Sequence, residues 1–360
     1  MTERPHLWMR HETRATERRA PLVPEDAARL IRDGVAVTVE ESPRRAFPLD
    51  AYEHVGCATA PAGAWARSPA DTYVLGLKEL PESPHPLRHR HIFFGHAYKG
   101  QEGAAALLDR FVAGGGALLD LEYLTDPSGR RLAAFGYWAG YLGAALAVLR
   151  RRGALDVPLV PLDRARWDAA LAATEPEGER ALVVGALGRS GRGACDALET
   201  AGITPTRWDV EETRDLDRAA LLGHDVLVNT VLVTRPVDPF LRPADLDAPD
   251  RRLSLVSDVT CDVGSECNVL PVYDTVTDWA RPVRRLREGE RPLDLIAVDN
   301  LPSLVPDEAS RAFSADLAPS LSRLGRGDGA WVRCLRAFVR AARSTTTPTR
   351  RTPRKDTHAC

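Results

Sequence analysis

A chain of 360 residues is longer than one hydrophobic core usually serves, and its 44% apolar residues supply enough material for two α/β domains. A formal charge of −2 with interspersed signs excludes a dedicated binder of nucleic acid or anionic membrane, and no apolar run approaches the length of a membrane span. The six cysteines are dispersed, Cys261 and Cys267 lack the further ligands of a zinc site, and the opening segment is too charged for a secretory signal, so a reduced, cytoplasmic enzyme of small-molecule chemistry with no metal is expected.

The elements follow in order. "VPEDAARLIRDG" starts with Pro and acids, carries apolar residues at helical spacing and stops at Gly34; "VAVTVEE" then alternates with period two, giving an αβ unit. The apolar runs "TYVLGLKEL", "HIFFGHAY" and "GALLDLEYL" are separated by turns and by the amphipathic "GAAALLDRFVAGG", which predicts a parallel sheet with helices on its faces. "FGYWAGYLGAALAVLRRRG", residues 135–153, is a long helix rich in small residues that bridges to a second α/β series. That series runs from "RALVVGALGRSGRGACDALETAG" through "TRWDVEE", "DVLVNTVLV" and "RLSLVSDVT" to "LDLIAVDNLP". The helical stretches from about residue 308 to 343 are expected to return to the first domain, giving 1–135 plus 308–343 as one domain and 136–307 as the other. Residues 344–360, Thr-, Pro- and Arg-rich without an apolar pattern, are expected to be disordered.

Three signals carry chemistry. Gly185, Gly188 and Gly191 stand between an apolar strand and a helix, where glycines let backbone N–H groups approach a pyrophosphate. Asp209, 18 residues beyond Gly191 at the end of the next strand, can accept from both ribose hydroxyls of NAD, although Arg207 and Arg214 leave NADP open. Lys78 closes an apolar run in a chain with three lysines and 45 arginines, and His96 does the same about one βα unit later. Neighbouring strand ends in a parallel sheet share a crevice, so the two form a candidate proton-transfer pair, with a snorkelling lysine and a solvated histidine as the plain alternative. Glu79 can tune Lys78 if the strand has ended before it, and Glu122 and Asp299 each end a strand, as catalytic acids or as simple caps. Arginines near the N-terminus and in "GRRLAAFG" suit a substrate with several carboxylates.

Taken in order, "RHETRATERRAPLVP", "VLGLKELPE", "HIFFGHAYKGQ", "LDLEYL", "GRRLAAFGYWAGYLGAAL", "VVGALGRSGRGA", "RWDVEET" and "VDNLPSLVPDEAS" resemble saccharopine dehydrogenase of the NAD-dependent, L-lysine-forming type, within the alanine dehydrogenase and transhydrogenase superfamily. The resemblance implies an α/β fold of two Rossmann-like domains with parallel sheets and an active-site cleft between them, and oxidative cleavage of saccharopine by NAD and water to lysine, 2-oxoglutarate and NADH, or the reverse. It makes Lys78 and His96 the acid–base pair, tuned by Glu79 and Glu122, and puts Arg19, Arg131, Phe135 and Arg14 at the substrate, Arg14 standing where the family has a lysine. For NAD it implies Arg130, Gly188, Arg189, Asp209, Thr213, Leu232, Val259 and Val298, Asp299, Asn300 and Leu301. Ser190 replaces a family cysteine, which removes any redox switch at that thiol. A monomer is implied. The competing readings are an amino-acid dehydrogenase of the alanine dehydrogenase type and a nucleotide-sensing relative without catalysis.

Overall fold

The computed structural model describes residues 4–346 apart from Gly100 and Thr234. Its first sheet comprises β1 (His6–Met9), β2 (Ala36–Glu40), β3 (Ala58–Ala60), β4 (Tyr73–Leu75), β5 (Arg90–Phe93) and β6 (Ala117–Asp120), all parallel, in the order β3-β2-β1-β4-β5-β6. The helices of this half are α1 (Pro24–Arg32), α2 (Leu49–His54) and α3 (Ala104–Gly114). A second sheet holds β7 (Ala181–Val184), β8 (Thr206–Trp208), β9 (Val226–Asn229), β10 (Leu255–Asp258), β11 (Arg284–Arg287) and β12 (Leu293–Ile296), ordered β11-β12-β10-β9-β7-β8, with β11 antiparallel. Around it lie α4 (Gly136–Arg151), α5 (Arg164–Ala172), α6 (Arg189–Thr200), α7 (Val210–Arg214) and α8 (Arg218–Leu222); α9 (Pro306–Leu321) and α10 (Gly329–Thr346) close the chain.

The sheet orders reverse at β1/β4 and at β7/β9, and in open parallel sheets a ligand crevice forms beyond the strand ends at such a reversal. Both reversals face one cleft. The helix α4, buried along nearly its whole length, packs on α6 so closely that a Cβ at Gly140 would lie 1.7 Å from the Ser190 carbonyl and one at Gly193 1.9 Å from the Tyr137 carbonyl. Small residues are therefore required there by contact with a neighbouring backbone. On the other side, Ser257 donates to the Gly143 carbonyl (2.9 Å), so α4 belongs to the core of the second sheet.

Phe313, Leu317 and Leu321 of α9 and Trp331 and Cys334 of α10 are buried with the strands of the first sheet, so the end of the chain returns there. Besides elements for which the sequence reading gives nothing, among them α2, β3 and α5, three features depart from it. The four residues "HLWM" form a central strand, too short to show a period; "RRLR" forms an arginine-rich edge strand; and Ser344–Thr346 continue α10, where disorder was expected. The remainder of the expected disordered tail lies outside the described residues.

Candidate active site

A cavity of about 690 Å³ opens between the two sheets, lined from the first half by Lys78, His96, Glu122, Arg19 and Arg131 and from the second by the start of α6 and the Val298–Leu301 loop. Three of these residues follow a strand closely: Lys78 stands three residues after β4 and His96 three after β5, while Glu122 sits in the turn after β6. Parallel pairing thus delivers all three to one edge.

A buried ion pair fixes the segment that carries Lys78. Arg10 contacts Glu12 (3.2 Å) and donates to the Lys78 carbonyl, while Glu12 accepts the N–H groups of Leu77 (2.6 Å) and Lys78 (3.1 Å). A side chain at Gly76 would collide with Arg10, so the backbone must approach the guanidinium closely. The lysine side chain is only 17% exposed, and its Nζ lies 3.9 Å from Asp299 Oδ1. Burial, then Arg19 and Arg14, lower its pKa, with Asp299 acting in the opposite sense. Glu79 forms a two-point pair with Arg14 (3.0 and 3.2 Å), which with the charge of Lys78 lowers its pKa against burial, and Arg14 also reaches Asp299. The strand ends at Leu75 and the chain bends at Leu77 and Lys78, and Asp299, expected beside the cofactor, is the carboxylate facing the lysine.

His96 adopts a left-handed φ of +48° and directs Nδ1 at Glu122 Oε1, 3.4 Å away. The bond to Glu122 raises the histidine pKa against its burial. Burial alone would raise the pKa of Glu122, yet His96, Arg131 and Lys99 together hold it at about 2. Behind the pair, Asp120 is fully buried, accepts the Glu122 N–H (2.9 Å) and is pushed up to about 6 by burial. Cys261 and Asn300, the other non-glycine residues with positive φ among the described residues, line the same cavity, a concentration of unusual backbone expected of a functional site.

Arg19 is buried over the face of Phe135 (4.0 Å), which stacks on Phe313 (4.1 Å, 6° between planes). Its Nε and Nη2 are held by Glu17 (2.8 and 2.6 Å), so Nη1 is the nitrogen left for a ligand. Burial raises the pKa of Glu17, but Arg19 outweighs it and keeps the carboxyl at about 2. Arg130 and Arg131 project from a tight turn at Asp126.

The glycine loop has the form of a nucleotide cradle. Gly185 takes a φ of +83°, and a Cβ at Gly191 would lie 2.1 Å from the Gly185 carbonyl, so both are demanded by the protein's own packing. Gly188, the N-cap of α6, has only one such neighbour, at 3.2 Å, leaving the helix N-terminus open to a phosphate. Leu187 and Leu232, 73% and 52% exposed, offer apolar faces at the cavity, and Arg130, Arg189, Val259 and Leu301 complete that side. Asp209 and Thr213 stand outside the cavity lining. Asp209 accepts the Leu187 N–H (2.9 Å) and caps α7, which sets its carboxylate against the loop, and Thr213 donates to the Asp209 carbonyl (2.6 Å). These residues fit a dinucleotide.

Glu17, Asp120, Lys99 and Ser303 complete the site and were missed from the sequence; the rarity of lysine was a signal available for Lys99, whose Nζ lies 3.7 Å from Glu122.

Fold and cleft define an α/β dinucleotide-binding protein of two Rossmann-like halves. Residues 8–142 match the family "Alanine dehydrogenase/PNT, N-terminal domain". A solved L-alanine dehydrogenase superposes with a TM-score of 0.67 over 93% of this chain and 94% of its own, at 17% identity, a likeness of fold alone. The sequence is 39% identical to the NAD(+), L-lysine-forming saccharopine dehydrogenase of Schizosaccharomyces pombe, covering 93% of this chain and 97% of that one. It is 38% identical to the Candida glabrata enzyme of the same name, covering 93% and 96%. The chain belongs to the family of NAD-dependent, L-lysine-forming saccharopine dehydrogenases.

Proposed function

We propose that this chain catalyses the reversible oxidative cleavage of saccharopine, with NAD and water, to L-lysine, 2-oxoglutarate and NADH. The observation that carries the reading is a desolvated lysine and a carboxylate-paired histidine in one cleft, faced by arginines and by an open helix N-terminus.

Arg131 and the free Nη1 of Arg19 bind substrate carboxylates; guanidinium groups suit this because their fork geometry matches a carboxylate and their charge does not vary with pH. The α6 N-terminus and Gly188 would hold the pyrophosphate, Asp209 would hold the adenosine ribose, and the Val298–Leu301 loop would complete the cofactor site. The chemistry that bound NAD would supply here is acceptance of the hydride lost from the carbon beside the secondary amine.

With Nδ1 directed at Glu122, Nε2 of His96 is the nitrogen that takes the proton of that amine. Lys78, its ammonium disfavoured by burial and by two arginines, accepts a proton from the water that attacks the resulting imine and returns it as the carbon–nitrogen bond breaks. An arginine cannot do this, because its pKa keeps it protonated. Asp299 and Glu122 keep the two bases oriented. Glu79 acts through Arg14, holding it against Asp299.

Free thiols at Cys57, Cys195, Cys261, Cys267 and Cys334 support a reducing compartment, which fits a cytosolic enzyme. Lys78→Met tests the mechanism. Turnover falls more than tenfold while NADH binding is retained, within the usual range for an acid–base group; unchanged turnover would remove the lysine from the reaction.

A further inference from the structure

Asn300 stands in the loop assigned to the cofactor, but its side chain is engaged elsewhere. It is 7% exposed, with a left-handed φ of +70°. Its Oδ1 accepts from Nη2 of Arg19, and its Nδ2 donates to Ser303 Oγ (3.0 Å). The Ser303 hydroxyl in turn donates to Glu17 (2.7 Å), the acid that pairs with Nε and Nη2 of Arg19. Arg19 thus closes a ring of buried polar groups with Glu17 from its own segment and Asn300 and Ser303 from the turn after β12, over the face of Phe135.

We infer that Asn300 and Ser303 are positioning residues for the substrate: from the second half of the molecule they hold the Arg19 guanidinium so that Nη1 meets a substrate carboxylate. A buried donor and acceptor pair has one favourable arrangement, because leaving either group unbonded costs its full desolvation. Affinity for the anionic substrate consequently depends on a loop whose backbone also borders the cofactor. The inference rests on the reading of Arg19 as a substrate ligand.

Asn300→Gly tests it, since glycine keeps the left-handed backbone and removes the acceptor. The expected result is a rise in KM for saccharopine of about tenfold, the usual worth of a buried hydrogen bond to a charged group, with the NADH Kd from fluorescence titration within about twofold of the parent. Asn300→Asp, which restores an acceptor, regains most of the loss. Ser303→Ala shifts KM in the same direction and carries the test if the glycine variant does not fold. Loss of NADH binding with KM unchanged, or no change in either, overturns the inference. Arg19→Gln, measured alongside, separates the two levels: if it leaves KM unchanged, the reading of Arg19 fails, and if it raises KM while Asn300→Gly and Ser303→Ala do not, the role of Asn300 alone fails.

Discussion

Glu122 and His96 set the pH response of the site through a single contact. The carboxylate raises the histidine pKa, so the neutral imidazole needed as a base for the oxidative direction is reached only at a higher pH than an isolated histidine requires. Removing the charge in Glu122→Gln lowers the histidine pKa, and the acidic limb of the kcat profile in that direction moves to lower pH. An unmoved limb would mean that His96 is not the base it reports. Lys78, His96 and Glu122 were legible in the sequence because each is a polar residue at the close of an apolar strand, and parallel strands gather such ends. Glu17 was not: in "ATERR" it reads as one member of a solvated charge run, and only the fold shows that it is buried against Arg19. Nor was the direction of Glu79, which depended on an arginine 65 positions earlier.

Helix packing determines whether the phosphate cradle is in place. Because α4 and α6 touch backbone to backbone at Gly140 and Gly193, any added methyl must push α6 away from the loop that ends at Gly188. Gly140→Ala is expected to destabilise the protein by at least about 2 kcal/mol, at the upper part of the range for overpacking, and to weaken NADH binding in parallel. Thermal unfolding with and without NADH checks both, and a variant with parent Tm and parent affinity would refute the contact. The helix itself was legible as a run of small apolar residues; its partner was not, since no local pattern reports which of several helices lies across it. The same limit hid β1 and β11. One is four residues of mixed character, and the other is an edge strand whose arginines pair with acids such as Asp247 and Asp294.

Across the whole molecule, the two sheets present their strand ends to each other, and polar contacts span the gap: Arg14 with Asp299, Arg19 with Asn300, and Arg189 with the Arg131 carbonyl. A net charge of −2 conceals a cleft with Arg19, Arg130, Arg131 and Arg189 on its walls, which suits a substrate with three carboxylates and a dinucleotide better than the overall composition implies. The α/β class and the second sheet's glycine loop were legible because hydrophobic period and glycine spacing are local. The contacts across the cleft were not, because they join residues as much as 286 positions apart. The most direct test is steady-state oxidation of NADH by the purified chain with L-lysine plus 2-oxoglutarate, set against pyruvate plus ammonia. A rate with the first pair that yields saccharopine, and none with the second, is the expected result; a rate with pyruvate and ammonia alone would contradict the assignment.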